Sequence, residues 1–178
     1  KKLKPQTKTQ TTENRIWLSD SPLVIKKDTK EKSVAMMKID DESIVRFYNS
    51  LMKYALALPE KVKKNQVLAP SPILSIIHKI IEQGGVDELY GYSVQRLDDE
   101  GLPSQSIAVT LGSLKIGQGL EYNMEQLLRL GIAGFYENAG MYLIPDSILE
   151  KKGRLTQDEM KVIKEHPRLS AKIVLRMG

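Results

Sequence analysis

His78 and His166 are the only two imidazoles in 178 residues, and there is no cysteine. Thiolate nucleophiles, cysteine-ligated zinc and disulfide frameworks are therefore excluded. A hydrolytic di-iron or di-manganese centre needs several imidazoles and carboxylates converging on one spot, and this chain is poor in the first of these. His78 falls in an isoleucine-rich stretch, where a partly buried histidine satisfied by a neighbour is the ordinary role. His166 precedes Pro167 at a helix junction, where capping or packing is the default. The carboxylate cluster Asp98-Asp99-Glu100, followed by Gly101 and Pro103, reads as a solvated turn. Asp158-Glu159 sits in the first turn of an expected helix, where negative charge complements the macrodipole. Gly117-Gln-Gly119 lacks the third glycine and the Lys-Ser/Thr of phosphate-binding loops, so it reads as a helix end. No Gly-x-Ser-x-Gly elbow supports a serine hydrolase.

The elements that must position these residues are helical. Asp40 or Asp41 can cap a helix with Ile44, Phe47, Tyr48, Leu51, Ala55 and Leu58 on one stripe, and Pro59 is expected to end it. Ser71-Pro72 supplies a cap and a first-turn proline for Ile73, Ile76, Ile77, Ile80 and Ile81, closed by Gly84-Gly85. Further helices are expected over 86–97, from Ser104 through Leu114, and from Asn123, whose Gln126 completes a capping box. Asp146 caps a short turn closed by Gly153. Thr156 with Glu159 makes a second capping box, and Pro167 restarts a last helix through Leu169, Ile173 and Val174. Upstream, residues 1–14 are Lys, Thr and Gln with almost nothing apolar and read as a flexible basic segment. Ile16-Trp-Leu18 and Leu23-Val-Ile25 flank a turn and can form a small hairpin. The expected organisation is a basic segment over 1–33, accessory helices over 34–88 and a helical domain over 89–178, all-α in its body.

The net charge of +5 and pI near 9.2 come partly from Lys1, Lys2, Lys4 and Lys8. Two Phe and one Trp leave little for an aromatic stacking platform, so nucleic acid is not an expected partner. No apolar run approaches the ~18 residues needed to span a bilayer. The lack of cysteine fits a reducing cytoplasm. Lys1 as the first residue, and an ending at Leu175-Arg-Met-Gly178 inside a helical segment, lead us to expect a truncated piece of a longer chain.

Residues 89–178 resemble the HD-GYP family, the helical branch of the HD superfamily that degrades cyclic di-GMP at a bi- or trinuclear metal site. The resemblance is carried by Ile144-Pro-Asp-Ser-Ile-Leu-Glu-Lys-Lys-Gly-Arg-Leu-Thr156, then Glu159, Ile163 and His166-Pro167 at matching spacing. Asp99-Glu-Gly-Leu-Pro-Ser-Gln-Ser106 stands where the family has its His-Ser element, and Leu127 to Gly134 where it has the helix delivering its His-Asp pair. The resemblance implies an HD-domain-like helical bundle and also locates the departures. Gln105 stands in place of the family's histidine, Glu137-Asn138 in place of the His-Asp pair, and Met141 in place of a phosphodiester-binding lysine. His166 alone matches a ligand position, and the family's Gly-Tyr-Pro loop would lie beyond Gly178.

Gln and Asn offer only neutral oxygens, poor ligands for a metal that prefers imidazole and carboxylate. The expectation is a catalytically inactive regulatory module with no catalytic residue and no bound cofactor; Fe or Mn is the metal if one binds. The resemblance implies a signalling partner, such as a diguanylate cyclase or a response regulator, or self-association. The alternatives are an active phosphodiesterase completed by residues beyond 178 and a cyclic-dinucleotide sensor that does not hydrolyse. Arg129, Lys151, Lys152 and Arg154 are the candidate phosphate contacts of that sensor.

Overall fold

The computed structural model describes residues 39–99 and 101–177. The expected hairpin and basic segment over 1–33 lie outside the described residues. Among the described residues there is no strand, and the body is all-α, as expected.

The first helix, α1 (Asp41–Lys63), opens where the Asp40 carboxylate accepts the Ser43 amide at 2.6 Å. Its apolar stripe Ile44, Phe47, Tyr48, Leu51, Ala55 and Leu58 is buried as the spacing requires. The helix does not stop before Pro59 but runs through it for another turn. Proline removes one intrahelical hydrogen bond. Two core-side anchors flank it, Leu58 at 3 % exposure and Val62 at 6 %, and their burial holds the last turn in place. Tertiary packing here overrides the local signal.

The second helix, α2 (Ser71–Glu82), begins one residue earlier than Ser71 capping would place it. Pro70 is the N-cap, and no side chain accepts a hydrogen bond there. Pro72 in the first turn removes a donor that would otherwise lack a partner, so Ser71 is not needed as a cap. Ile73, Ile77 and Ile80 are fully buried. Helix α3 (Val86–Val94) is shorter than the expected 86–97, and turns carry the chain on to Asp99. Helix α4 (Leu102–Gly119) starts after Gly101, whose φ of 61° suits glycine, rather than at Ser104. Ser104 is wholly buried inside that helix.

Helix α5 (Met124–Tyr136) carries the expected capping box. Asn123 Oδ1 accepts the Gln126 amide at 3.0 Å, and Gln126 Oε1 accepts the Asn123 amide at 2.9 Å. It packs antiparallel to α4. A Cβ on Gly134 would lie 3.0 Å from the Thr110 Cα, one on Gly131 would meet Leu114 and Ile77, and one on Gly117 would meet Leu127. Gly134 is therefore where the two backbones come closest. The Thr110 hydroxyl, fully buried at this crossing, donates to the Ser106 carbonyl at 2.7 Å and so leaves no unmet polar group.

A 3-10 turn over Ala139–Leu143 follows, then α6 (Asp146–Leu149), α7 (Gln157–Lys164) and α8 (His166–Val174). Asp146 does not cap α6; Pro145 is the N-cap, and Asp146 instead reaches Lys63 at 3.3 Å. Thr156 and Glu159 form the second capping box at the head of α7. The described residues make one compact unit around a core of Leu51, Ile77, Leu89, Ile107, Leu111 and Phe135, each at most 1 % exposed. Full burial of such a side chain contributes about 1.5–3 kcal/mol. The helices at 41–63 and 71–82 belong to this same core.

Candidate functional site

The antiparallel run of α3, α4 and α5 leaves a groove of about 500 Å³ on one side. Its α4 wall is a helical stripe: Gln105, Ala108, Val109, Gly112, Ser113 and Ile116 recur at spacings of three, one, three, one and three. Tyr90, Val94 and Leu97 line the opposite side, and Glu137 and Asn138 close one end where the chain leaves α5. The α3–α4 spacing is tight, since a Cβ on Gly112 would stand 3.1 Å from the Tyr90 ring.

Three of the four altered positions therefore meet on one surface. Gln105 is exposed in the first turns of α4. Glu137 is exposed and accepts a hydrogen bond from Asn138 Nδ2 at 2.8 Å. These side chains offer one carboxylate and two neutral amides. Met141 and His166 are not among the residues lining the groove. Met141 sits half-buried in the 3-10 turn, where its amide donates to the Asn138 carbonyl at 2.9 Å.

His166 opens α8 and is half-buried. Its Nδ1 lies 2.8 Å from the Ile163 carbonyl. A carbonyl can only accept, so Nδ1 carries a proton, and in the neutral ring the lone pair sits on Nε2. Metal-ligating histidines are commonly held this way. The backbone around His166 is pinned by Gly140, because a Cβ there would run into the His166 carbonyl oxygen and stand 2.7 Å from the Ser170 amide. The Ser170 hydroxyl accepts the Gly140 amide at 2.7 Å in a buried contact.

The fit to a dinuclear metal is poor. Such a site needs about three or more firm ligands and an open position. The groove offers one carboxylate, and Gln and Asn add only neutral oxygens, weaker donors than the imidazoles and carboxylates of a hydrolytic di-iron or di-manganese centre. Among the described residues, no three His, Asp or Glu side chains gather where they could hold a metal ion.

The four candidate phosphate contacts lie elsewhere. Arg129 pairs with Glu125 at 2.6 Å on the exposed face of α5. Lys151 is held by Glu159 at 2.6 Å, and Lys152 and Arg154 are exposed between α6 and α7. None of the four lines the groove. Glu159 is engaged structurally as well: the Lys151 ammonium and the Thr156 amide donate to its carboxylate and hold it below the usual range. Asp158 pairs with Lys161 at 2.8 Å, and His78 with Glu82 at 3.1 Å, so both are satisfied by neighbours on their own helices. Sequence reasoning missed Tyr90, Val94 and Ile116 as lining residues. The available signal was the exposure of apolar side chains off the core stripe, with Val94 at 41 % and Ile116 at 65 %.

Residues 98–177 match the HD domain family. Over 80 residues the chain is 30 % identical to a cyclic di-GMP phosphodiesterase of Pseudomonas aeruginosa, covering 45 % of this chain and 19 % of that protein. Over 59 residues it is 36 % identical to the cyclic di-GMP phosphodiesterase response regulator RpfG of Xanthomonas campestris pv. campestris, covering 33 % of this chain and 16 % of that one. The chain thus spans less than a fifth of either relative's length. No solved structure matches the chain significantly. These matches bear out the resemblance read from Ile144–Thr156 and His166-Pro167. No helix among the described residues is long and apolar enough to cross a membrane.

Proposed function

We propose that residues 98–177, which match the HD domain, form a catalytically inactive HD-GYP-like module that serves regulation or partner binding in cytoplasmic cyclic-dinucleotide signalling. One observation carries the reading. The groove gathers Gln105, Glu137 and Asn138, the positions that would bear ligands in the family, and no imidazole is among its lining residues. Phosphodiester hydrolysis by such a domain depends on a metal that lowers the pKa of bound water from 15.7 to roughly 7. One carboxylate and two amides are too weak a donor set to hold that metal, so no catalytic residue is assigned and no cofactor is expected. Met141 also leaves no cation near the place where a transition state becomes more anionic. Fold alone does not restore the activity. The partner, on this reading, is a signalling protein such as a diguanylate cyclase or a response regulator, or a second copy of the chain.

The experiment is hydrolysis of cyclic di-GMP by the purified full chain with excess Mn²⁺ or Fe²⁺, followed by chromatography of the linear dinucleotide. No product above the protein-free control is expected. Turnover that disappears in His166→Ala would overturn the proposal.

A second reading, an active phosphodiesterase with a rearranged site, draws on the His166 ring. Its Nε2 is free to ligate while Nδ1 is anchored to Ile163. The same assay decides between the two. A sensor that binds cyclic di-GMP through Arg129, Lys151, Lys152 and Arg154 would give heat in calorimetry at high micromolar ligand. Silence there counts against it.

A further inference from the structure

The groove lined by Gln105, Glu137 and Asn138 carries more than a lost site. No Lys or Arg lines it, so a dinucleotide with two phosphates would find no countercharge there and would meet the Glu137 carboxylate. Its walls are apolar instead, with Val94 and Ile116 exposed at 41 % and 65 %. Charge is distributed unevenly along it. At the Ile116 end, Lys115 and Asp87 neutralise each other at 2.7 Å. At the other end, Leu97 runs into the exposed Asp98 and Asp99, and Glu137 stands beside Gln105. Asp98, Asp99 and Glu137 form no ion pair among the described residues. Among the described residues, one end of an apolar groove thus carries carboxylates with no ion-paired cation.

The dimensions fit a helix. Gln105 to Ile116 covers twelve residues of α4, about 16 Å at 1.5 Å for each of the eleven steps, or three turns of a partner laid alongside. Ala108, Gly112 and Ser113 on that wall are small, so a second helix can approach closely while Val94 and Ile116 grip its apolar side chains. The walls are helices, and no strand edge exists among the described residues to accept an extended peptide.

We infer that this groove docks an amphipathic helix of a partner protein, with the partner's basic, N-terminal turn over Glu137, Asp98 and Asp99. A helix N-terminus carries partial positive charge, and added Lys or Arg side chains strengthen the match. The inference rests on the reading of the chain as a partner-binding module and names the chemistry of the partner.

The test uses the full chain and fluorescence anisotropy with a fluorescein-labelled helical peptide of about three turns. The peptide carries leucines at i, i+4 and i+7 and two lysines in its first turn; a second peptide has glutamates in place of those lysines. Saturable binding of the lysine peptide is expected, weakened about tenfold or more by Ile116→Asp and by Glu137→Lys, and weakened by added salt. Replacing Asp98, Asp99 and Glu137 together by lysine is expected to reverse the preference toward the glutamate peptide, a charge swap that a merely destabilised fold would not produce. Circular dichroism of each variant checks that the helices persist. Equal binding of both peptides, no saturable binding of the lysine peptide, or indifference to Ile116→Asp would overturn the inference. A dimer in sedimentation that Ile116→Asp dissolves would give the groove to a second copy and would overturn it too. Cyclic di-GMP hydrolysis measured on the same samples bears on the inactive reading alone, so the two can fail separately.

Discussion

Gly140→Ala should be the most damaging single-methyl addition near the site. The new Cβ would stand 2.7 Å from the Ser170 amide and 2.8 Å from the Leu169 Cβ, and would press on the His166 carbonyl oxygen. Two of those three contacts are backbone atoms of α8, so no rotamer change relieves them. The first turn of α8 must move away, and the 2.7 Å hydrogen bond from the Gly140 amide to the Ser170 hydroxyl lengthens with it. Overpacking of this kind costs about 1–3 kcal/mol, and a buried donor left without its acceptor costs about 1–3 kcal/mol more. The sum, about 2–6 kcal/mol, corresponds to a fall in Tm of roughly 4–24 °C for a chain of this size. Differential scanning calorimetry of the full chain measures it. Gly91→Ala is the control: it lies inside α3, nothing stands within 4 Å of its added Cβ, and a gain of about 0.5–1 kcal/mol is expected there. Ser170→Ala should fall between the two, since it removes the acceptor without adding bulk. A Gly140→Ala protein that melts with wild type would refute the reasoning about how α8 is seated, and with it the placement of His166.

Asn123→Ala removes the side chain that caps α5 and should cost about 1 kcal/mol, visible as a small drop in the urea midpoint with unchanged slope. Acid should weaken the fold through Glu159. The Lys151 and Thr156 hydrogen bonds lower its folded pKa, so its contribution is present above the unfolded value of 4.5 and is lost as pH falls through the folded one. Glu159→Gln should flatten the stability profile in that acidic window, and an unchanged profile would discredit the capping box as its cause. At the alkaline end, burial pushes the Tyr136 and Tyr142 hydroxyls up to about 12. Stability from keeping them neutral is complete below pH 10 and is lost as pH rises toward 12. Spectrophotometric titration should show these two among the seven tyrosines ionising late, and Tyr136→Phe should remove one of the late steps.

The fold was legible where local chemistry and the core agree. Asn123 with Gln126 and Thr156 with Glu159 announce helix starts because the capping box is a four-residue device that needs no distant partner. The α1 and α2 stripes were legible because burial follows the helical period. Pro59 misled because its local cost is outweighed by Leu58 and Val62, which reach the core from either side of it. Ser71 misled because a prolyl first turn does not require a side-chain acceptor. The groove was only half visible. Gln105 and Glu137-Asn138 stand out by resemblance, but they are 32 residues apart in the chain, and only the antiparallel packing of α4 on α5 brings them to one surface. The Gly140 contact with α8 was invisible, since a backbone-to-backbone approach leaves no mark in sequence beyond a glycine.

Metal content after incubation of the full chain with excess Mn²⁺ or anaerobic Fe²⁺, followed by gel filtration and mass spectrometry of the ions, addresses the central claim most directly. The account predicts substoichiometric metal, unchanged by Glu137→Gln or His166→Ala. A pair of retained ions per chain, lost in either variant, would contradict it.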